Sequence, residues 1–413
     1  MRFMKIKKLS GSDIFLVIVM LELFLMGSGR FLEIGPVTLR MLFFAIAVFY
    51  SITLAIYRNH INKQIFLLVC TFIVVHLLAF LIGSLNNARM YLMLNDIKPL
   101  LFFFMLIFFC TFIRDMEGVN LTIKTIKAAA LILALPYLLF LLFLHLGIIH
   151  LDAQTIAMIE NHKGGDIRFQ QHIGVFYNGF FYLGVGFFFY ALEKGFHERL
   201  IALLLFTAIV LTFSRGLLLA MTMVFFLYLF FTFALQRKPI LSLLIILFVS
   251  AAAVLFLRQY LNIVGNKYLS NVMRIIVFNE VVDSITPLSV FFGHGFGIGT
   301  AQRPIHMEVS FLEIFHKQGI IGLLFWAVVL IVILKNYSRA FKAGNGKAAL
   351  PFVLSCLYAY VLTATNNYIN NPAGMSVLLI SIVVLDVLGK NSIAPLIRKV
   401  SVYEKMSNMQ IAD

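Results

Sequence analysis

Charge is scarce in this sequence. Only 12% of its residues are Asp, Glu, Lys or Arg, against about 25% in an ordinary soluble domain. A water-facing surface cannot be built from so few. Cysteine is scarcer still: Cys70, Cys110 and Cys356 all lie in apolar runs. They have no metal-type spacing and offer no disulfide framework. His-Glu-x-x-His is absent, which excludes a zinc-protease helix of that type. No internal repeat is visible, so the inverted-repeat signature of many transporters is missing. No small-residue cleavage site follows Arg2, Lys5, Lys7 and Lys8, and the first apolar stretch therefore reads as an uncleaved span.

What is abundant is apolar. Hydrophobic residues make up 62% of the 413, with 44 Phe against a single Trp, and mean hydropathy is +0.98. The composition is that of an all-α polytopic membrane protein forming one integral domain over residues 1–413. A spanning helix needs about 20 apolar residues. By that rule about twelve spans are expected, near 13–28, 36–57, 64–84, 91–113, 125–148, 173–193, 199–213, 216–235, 239–257, 308–334, 348–366 and 373–389. Two polar stretches interrupt them, at 149–172 and 258–307.

Orientation follows from the basic residues. With a cytoplasmic N-terminus, most of the 33 Lys and Arg fall inside, including those of "YRNHINK" and "KNYSRAFKAGNGK". Both termini are then cytoplasmic, and the two long loops, which contain short helices, face outward. The net charge of +15 is thus a topology signal, and no nucleic-acid partner is expected.

Within 201–235 the only charged residue is Arg215, in "LTFSRGLLLA". These 35 residues would make a helix about 52 Å long, too long for a hydrocarbon core of about 30 Å. Two spans with a turn at "SRG" are expected, with Ser214 as cap and Gly216 taking the tight geometry. Arg215 then lies at the outer surface, where topology does not require it. It either snorkels to headgroups or, beside a helix N-terminus, binds an anion with a bidentate fork.

The first outer loop carries Arg168, with Gly179 eleven residues on and "FYN" just before it. It reads equally as a solvated loop. His150, His162 and His172 fit no tight metal site. In the second, "SNVMRIIVFNEVVDSITP" has helical spacing at Val272, Ile275, Ile276, Val281, Val282 and Ile285. Ser270 or Asn271 is its cap and Pro287 lies beyond its end. This surface helix carries Arg274. "GHGFGIG" follows, either a hinge or a backbone nest for an anion. Then His306, Ser310, Glu313 and Lys317 fall on one helical face. They read as a solvated stripe, or as a general base, His306, at the rim of a cavity, with Glu308 as the alternative base. Glu22, Asp96 and Lys98 are charges inside spans, and buried polar pairing is their simplest reading.

Together, the SRG turn, the arginine helix leading to a Gly-rich turn, and "IHMEVSFLEIFHKQGIIGLLFW" resemble the O-antigen ligase and polymerase superfamily, multispan bacterial glycosyltransferases. The motifs cover about residues 165–335 and the span layout covers the chain. The resemblance implies an inverting enzyme without metal or other cofactor, in the bacterial plasma membrane, with its active site facing outward. Donor and acceptor would be glycans on undecaprenyl pyrophosphate. Membrane lipid and a chain-length regulator protein are the other implied partners. Arg215, Arg274 and Arg168 would hold the pyrophosphate, and His306 or Glu308 would act on the acceptor hydroxyl. Ser214, Gly216, Arg303 and Glu313 would support them. Eleven residues after Arg274 stands Ile285 and not a second glycine, which departs from a paired-loop pattern. Met307 follows His306 where the ligase pattern has Asn, Ser or Gln, which favours polymerase over a ligase acting on lipid A-core. The absence of Asp-x-Asp agrees with arginine-based chemistry. A flippase of lipid-linked glycan is the reading from another class.

Overall fold

The structure, a computed structural model, describes residues 10–27, 29, 33–34, 37–57, 62–161, 167–170, 174–235, 240 and 268–391. The expected span at 239–257, the basic termini, and His162 and His172 lie outside the described residues.

The chain is overwhelmingly helical. In order come α1 (Gly11–Leu25), α2 (Leu39–Tyr57), α3 (Lys63–Leu85), α4 (Met90–Leu100), α5 (Met105–Phe112), α6 (Met116–His145), α7 (Ala153–Asn161), α8 (Phe181–Ala191), α9 (Phe196–Leu211) and α10 (Arg215–Leu235). Then follow α11 (Tyr268–Asp283), α12 (Pro287–Phe292), α13 (Ser310–Lys342), α14 (Gly346–Thr363) and α15 (Pro372–Lys390). Two small antiparallel hairpins add β1 (Glu33–Ile34) with β2 (Val37–Thr38), and β3 (Ile167–Gln170) with β4 (Gly174–Tyr177).

Among the described residues, eight helical segments are long and apolar enough to cross a membrane, fewer than the twelve expected. Three expected spans are shorter helices: α1 has 15 residues, α8 has 11 and α9 has 16. Within the expected span 173–193, Gly174–Tyr177 form strand β4, and the α-helix begins only at Phe181. α4 and α5 form one span across a 3₁₀ turn at Leu101–Phe104. The turn follows Pro99, whose missing N–H already removes an α-helical bond from the last turn of α4.

Helix starts follow from caps. Ser10 and Asp13 form a capping box on α1, Asp115 accepts from Gly118 N at the head of α6, and Asn371 accepts from Ala373 N and Gly374 N ahead of α15. Each satisfies backbone donors that have no partner within the helix.

α15 is the centre of the bundle: its spanning window is 83% buried, against 17% for α2 at the periphery. It contacts α13, α14, α5, α1 and α6. In lipid the hydrophobic effect does not drive helices together, so shape and polar contacts must hold them. Phenylalanine supplies much of the shape. Phe72 stacks on Phe103 with ring centroids 4.4 Å apart, and Phe103 abuts Phe325 and the fully buried Trp326.

Segments expected on the same side of the membrane lie together. Segments expected outside meet at one end: the α3–α4 turn, the Gly-rich turn, the loop before α13 and the α14–α15 loop. Segments expected inside meet at the other, where Asp386 pairs with Arg339 and Lys390. Glu22 and Arg40 form a buried pair, with Nε 3.0 Å from Oε1, and Arg40 also donates to the Gly27 carbonyl. Glu22 is therefore satisfied within the protein.

Candidate active site

The site is organised by the break at the head of α13. Gly319 interrupts this helix with φ +63°, a left-handed geometry that glycine takes without strain. A Cβ there would lie 2.4 Å from the backbone of Phe291. The short segment before the break, Ser310–Gln318, thus docks against α12 and aims its own row of polar side chains.

Lys317 is the hub of that row. Its ammonium donates to Asp96 Oδ1 at 2.8 Å, to Glu313 Oε1 at 2.7 Å and to the Ile305 carbonyl at 2.5 Å. All three charged side chains are at most 5% exposed. Asp96 also accepts from Gly297 N at 2.8 Å. Asp96 pairs with Lys317 across 221 positions of sequence, not with the neighbouring Lys98.

Four N–H groups of the Gly-rich turn are bonded within the protein and not offered to an external anion: His294 to the His316 carbonyl, Gly295 to Lys317 O, Phe296 to Ala79 O, and Gly297 to the Asp96 carboxylate. Backbone meets backbone so closely that a Cβ on Gly83 would sit 2.2 Å from the Phe296 oxygen. His294 stacks on His316, with centroids 4.7 Å apart, and burial holds the His294 imidazole below its ordinary pKa.

His306 lies in the loop before α13 and not on the helix, yet it joins the same group. Its Nδ1 is 3.3 Å from Glu313 Oε1 and 3.9 Å from Asp96 Oδ1. The ring is 45% exposed, so it stands at the rim, its Nδ1 held by carboxylates. Nε2 is the atom left to meet a substrate. Asp96, His306 and Glu313 offer ligand atoms within 4.8 Å of one another, a grouping that in outline suits a metal ion. Lys317 already supplies the cation between those carboxylates.

Two clefts flank this segment. One, of about 290 Å³, is lined by Asp96, Phe296, His306, Glu313, Asn367 and Asn370 among others. The other, of about 270 Å³, is lined by Arg274, Arg303 and Glu308 with Met273, Val277, Val309 and Leu312. Arg274 Nε donates to Glu308 Oε2 at 2.8 Å, and Arg303 Nη2 to Oε1 at 2.9 Å. Glu308 thus clamps two guanidiniums, and with both oxygens engaged it is poorly placed as the alternative base. Val277 and Val281 bury the inner face of α11 against Met307. Ile275, Ile276, Val282 and Ile285, which share the helical spacing read from the sequence, are exposed. Pro287 does not merely lie past that helix: with the Thr286–Ser289 capping box it starts α12.

Arg215 is the first residue of α10, and Ser214 holds the N-cap position, its carbonyl accepting from Leu218 N. The tight geometry falls on Phe213, at φ +50°, and not on Gly216. Gly216 instead permits close approach: a Cβ there would lie 2.7 Å from Asn366 Nδ2. Asn366 in turn accepts from Ser310 Oγ through its carbonyl, which places the Arg215 turn beside the site. Arg168 is exposed on β3, opposite Phe176. The Tyr177 ring packs over Gly179, where a Cβ would lie 2.4 Å from it. The structure thus joins His306, Glu313, Arg274, Arg303 and Glu308 around one segment, with Ser214, Arg215 and Gly216 next to it. It does not draw Arg168 into the described contacts of that group.

Sequence reasoning did not find Asn367 and Asn370. Asn370 Nδ2 donates to Glu313 Oε2 at 3.2 Å, and Asn367 Oδ1 accepts from Ser310 Oγ at 3.1 Å. The signal was present in "TNNYINNP", residues 365–372: four asparagines in six positions between two apolar spans.

Fold and site together define a polytopic membrane protein whose polar centre is gathered at one end of its helix bundle, between a cationic cleft and a carboxylate-lined one. Over 384 residues the chain is 27% identical to an O-antigen polymerase of Shigella flexneri, covering 91% of this chain and 94% of that protein. This near full-length similarity supports the resemblance to the O-antigen ligase and polymerase superfamily. No known family profile matches the chain.

Proposed function

We propose that the chain is a membrane glycosyltransferase of the O-antigen polymerase type. It joins oligosaccharide repeat units carried on undecaprenyl pyrophosphate, at the outer face of the bacterial plasma membrane. The observation that carries this reading is His306, which lines the carboxylate cleft just before α13, two residues from Glu308 of the arginine cleft. The near full-length likeness to the Shigella flexneri polymerase supports it.

The chemistry follows from the two clefts. Arg274 and Arg303, with Arg215 at the adjoining turn, face the donor pyrophosphate. As permanent cations they stabilise the charge that grows on the leaving oxygen. His306 Nε2 takes the proton from an acceptor hydroxyl. That oxygen attacks the anomeric carbon from the side opposite the pyrophosphate. The new C–O bond forms as the bond to phosphate breaks, inverting the centre, and the lipid pyrophosphate departs with the bonding electrons. Glu313, bonded to Nδ1, steadies the imidazolium. No step requires a metal. A chain-length regulator would act on this enzyme from outside the site.

Reconstitution with undecaprenyl-pyrophosphate-linked repeat units tests the reading. A ladder of polymer is expected, lowered roughly 10²–10⁴-fold in rate by His306→Ala. Transfer only to lipid A-core means a ligase. No transfer of either kind, with translocation of the lipid-linked glycan across the bilayer, returns the flippase reading.

A further inference from the structure

The carboxylate cleft contains a polar atom that the protein does not satisfy. Asn370 is 9% exposed. Its Nδ2 faces Glu313 Oε2, and a carboxylate accepts only from the amide nitrogen, so this contact fixes which way the amide points. Oδ1 is left buried with no hydrogen-bond partner. A buried acceptor without a donor is costly, and native proteins tend to keep one for a purpose. Asn370 lines the cleft with Asn367, whose own Oδ1 is already used by Ser310, leaving its Nδ2 as a donor. Pro99, Leu100, Phe296 and Ile314 add apolar lining.

A lining of polar groups and apolar surface suits a pyranose, which carries hydroxyls on its rim and C–H groups on its face. We propose that this cleft is the acceptor subsite and receives the terminal sugar of the incoming glycan. A hydroxyl of that sugar donates to Asn370 Oδ1, a second accepts from Asn367 Nδ2, and the reacting hydroxyl is thereby held at His306. The inference rests on the glycosyltransferase reading above and deepens it: Asn370 touches substrate and sets which terminal sugar is accepted.

The test uses the full chain in detergent and a repeat-unit oligosaccharide with an alkyl group in place of the lipid pyrophosphate. Such a molecule accepts but cannot donate. A set of these acceptors, each lacking one hydroxyl of the terminal sugar, is titrated at fixed lipid-linked donor. One deoxy acceptor should show KM raised about tenfold, the size of one hydrogen bond to a buried group. With Asn370→Leu the parent acceptor should lose the same factor, and that deoxy acceptor should lose nothing further. Asn370→Ser, which keeps an acceptor oxygen, serves where the leucine variant does not fold. Independent, multiplying losses for every deoxy acceptor would overturn the assignment. Thermal protection of the protein by the parent oligosaccharide reads binding without turnover. Protection that Asn370→Leu abolishes, in a wild type that makes no polymer, keeps the subsite and defeats the polymerase reading. Polymer without coupling at Asn370 does the reverse.

Discussion

Removing the Lys317 ammonium tests the site's construction most sharply. Lys317→Met keeps the length and apolar stem of the side chain but leaves Asp96 and Glu313 facing each other in a pocket where both are nearly fully enclosed. Breaking a buried ion pair by deleting one partner costs about 3–5 kcal/mol. Two features pull toward the lower figure: Asp96 retains the Gly297 N–H, and Glu313 retains Asn370 and His306. At about 1.4 kcal/mol per factor of ten, a loss near 3 kcal/mol lowers the ratio of folded to unfolded protein roughly a hundredfold. The assay is denaturant unfolding in micelles, comparing Lys317→Met with the double variant Lys317→Met/Asp96→Asn. The second change removes one of the two opposed charges, and its amide oxygen can still accept from Gly297. At least half the lost stability should return. A wild-type midpoint for the single variant, or a further drop in the double one, would refute the argument that this ammonium neutralises two buried carboxylates.

Other expectations follow from the same geometry. Gly83→Ala drives a Cβ onto the Phe296 carbonyl; it should cut both the yield of monodisperse protein and the polysaccharide ladder, and normal values of both would contradict the contact. Arg40→Met should be severely destabilising because it strands the buried Glu22 carboxylate, and Glu22→Gln in the same chain should restore much of the thermal stability. Arg274→Ala and Arg303→Ala should each slow polymer formation, with the double variant losing less than the product of the two, since both share Glu308; strictly multiplicative rates would mean that they act separately. His294, held below the ordinary histidine pKa by burial, binds its proton less readily folded than unfolded. Stability should therefore fall as pH drops below about 6.5, the ordinary histidine value, and level off once pH passes the lowered value. Unfolding midpoints of His294→Asn should show a flatter acid limb.

The broad plan was readable because it depends on local rules. Apolar runs and turn chemistry located the long helices, and length arithmetic divided 201–235 at Ser214. Residues that meet through distant pairing were harder. Asp96 read as a charge inside a span with no identified partner, and Lys317 as one of a polar stripe with His306, Ser310 and Glu313; nothing local signals that the two meet across 221 positions. Phe213 took the strained turn geometry in place of Gly216, because the glycine is needed for its missing Cβ and not for its φ. The helix expected from 173 begins at Phe181 because residues 174–177 pair with β3, and strand pairing has no signature in so apolar a run.

The pairing of Asp96 with Lys317 also governs how the protein is made. At about 5–20 residues per second, Asp96 enters the membrane roughly 11–44 seconds before its partner leaves the ribosome. Throughout that interval the nascent chain holds a carboxyl group near one end of its span with no Lys317 ammonium to pair with it. Gly83, waiting for Phe296, is likewise half of a joint whose other half is unwritten. The amino-terminal spans therefore cannot mature one by one as they emerge. A chain stalled before Lys317 presents the quality-control machinery with an unmatched charge, so synthesis of the last third is the step that commits the whole molecule to survival.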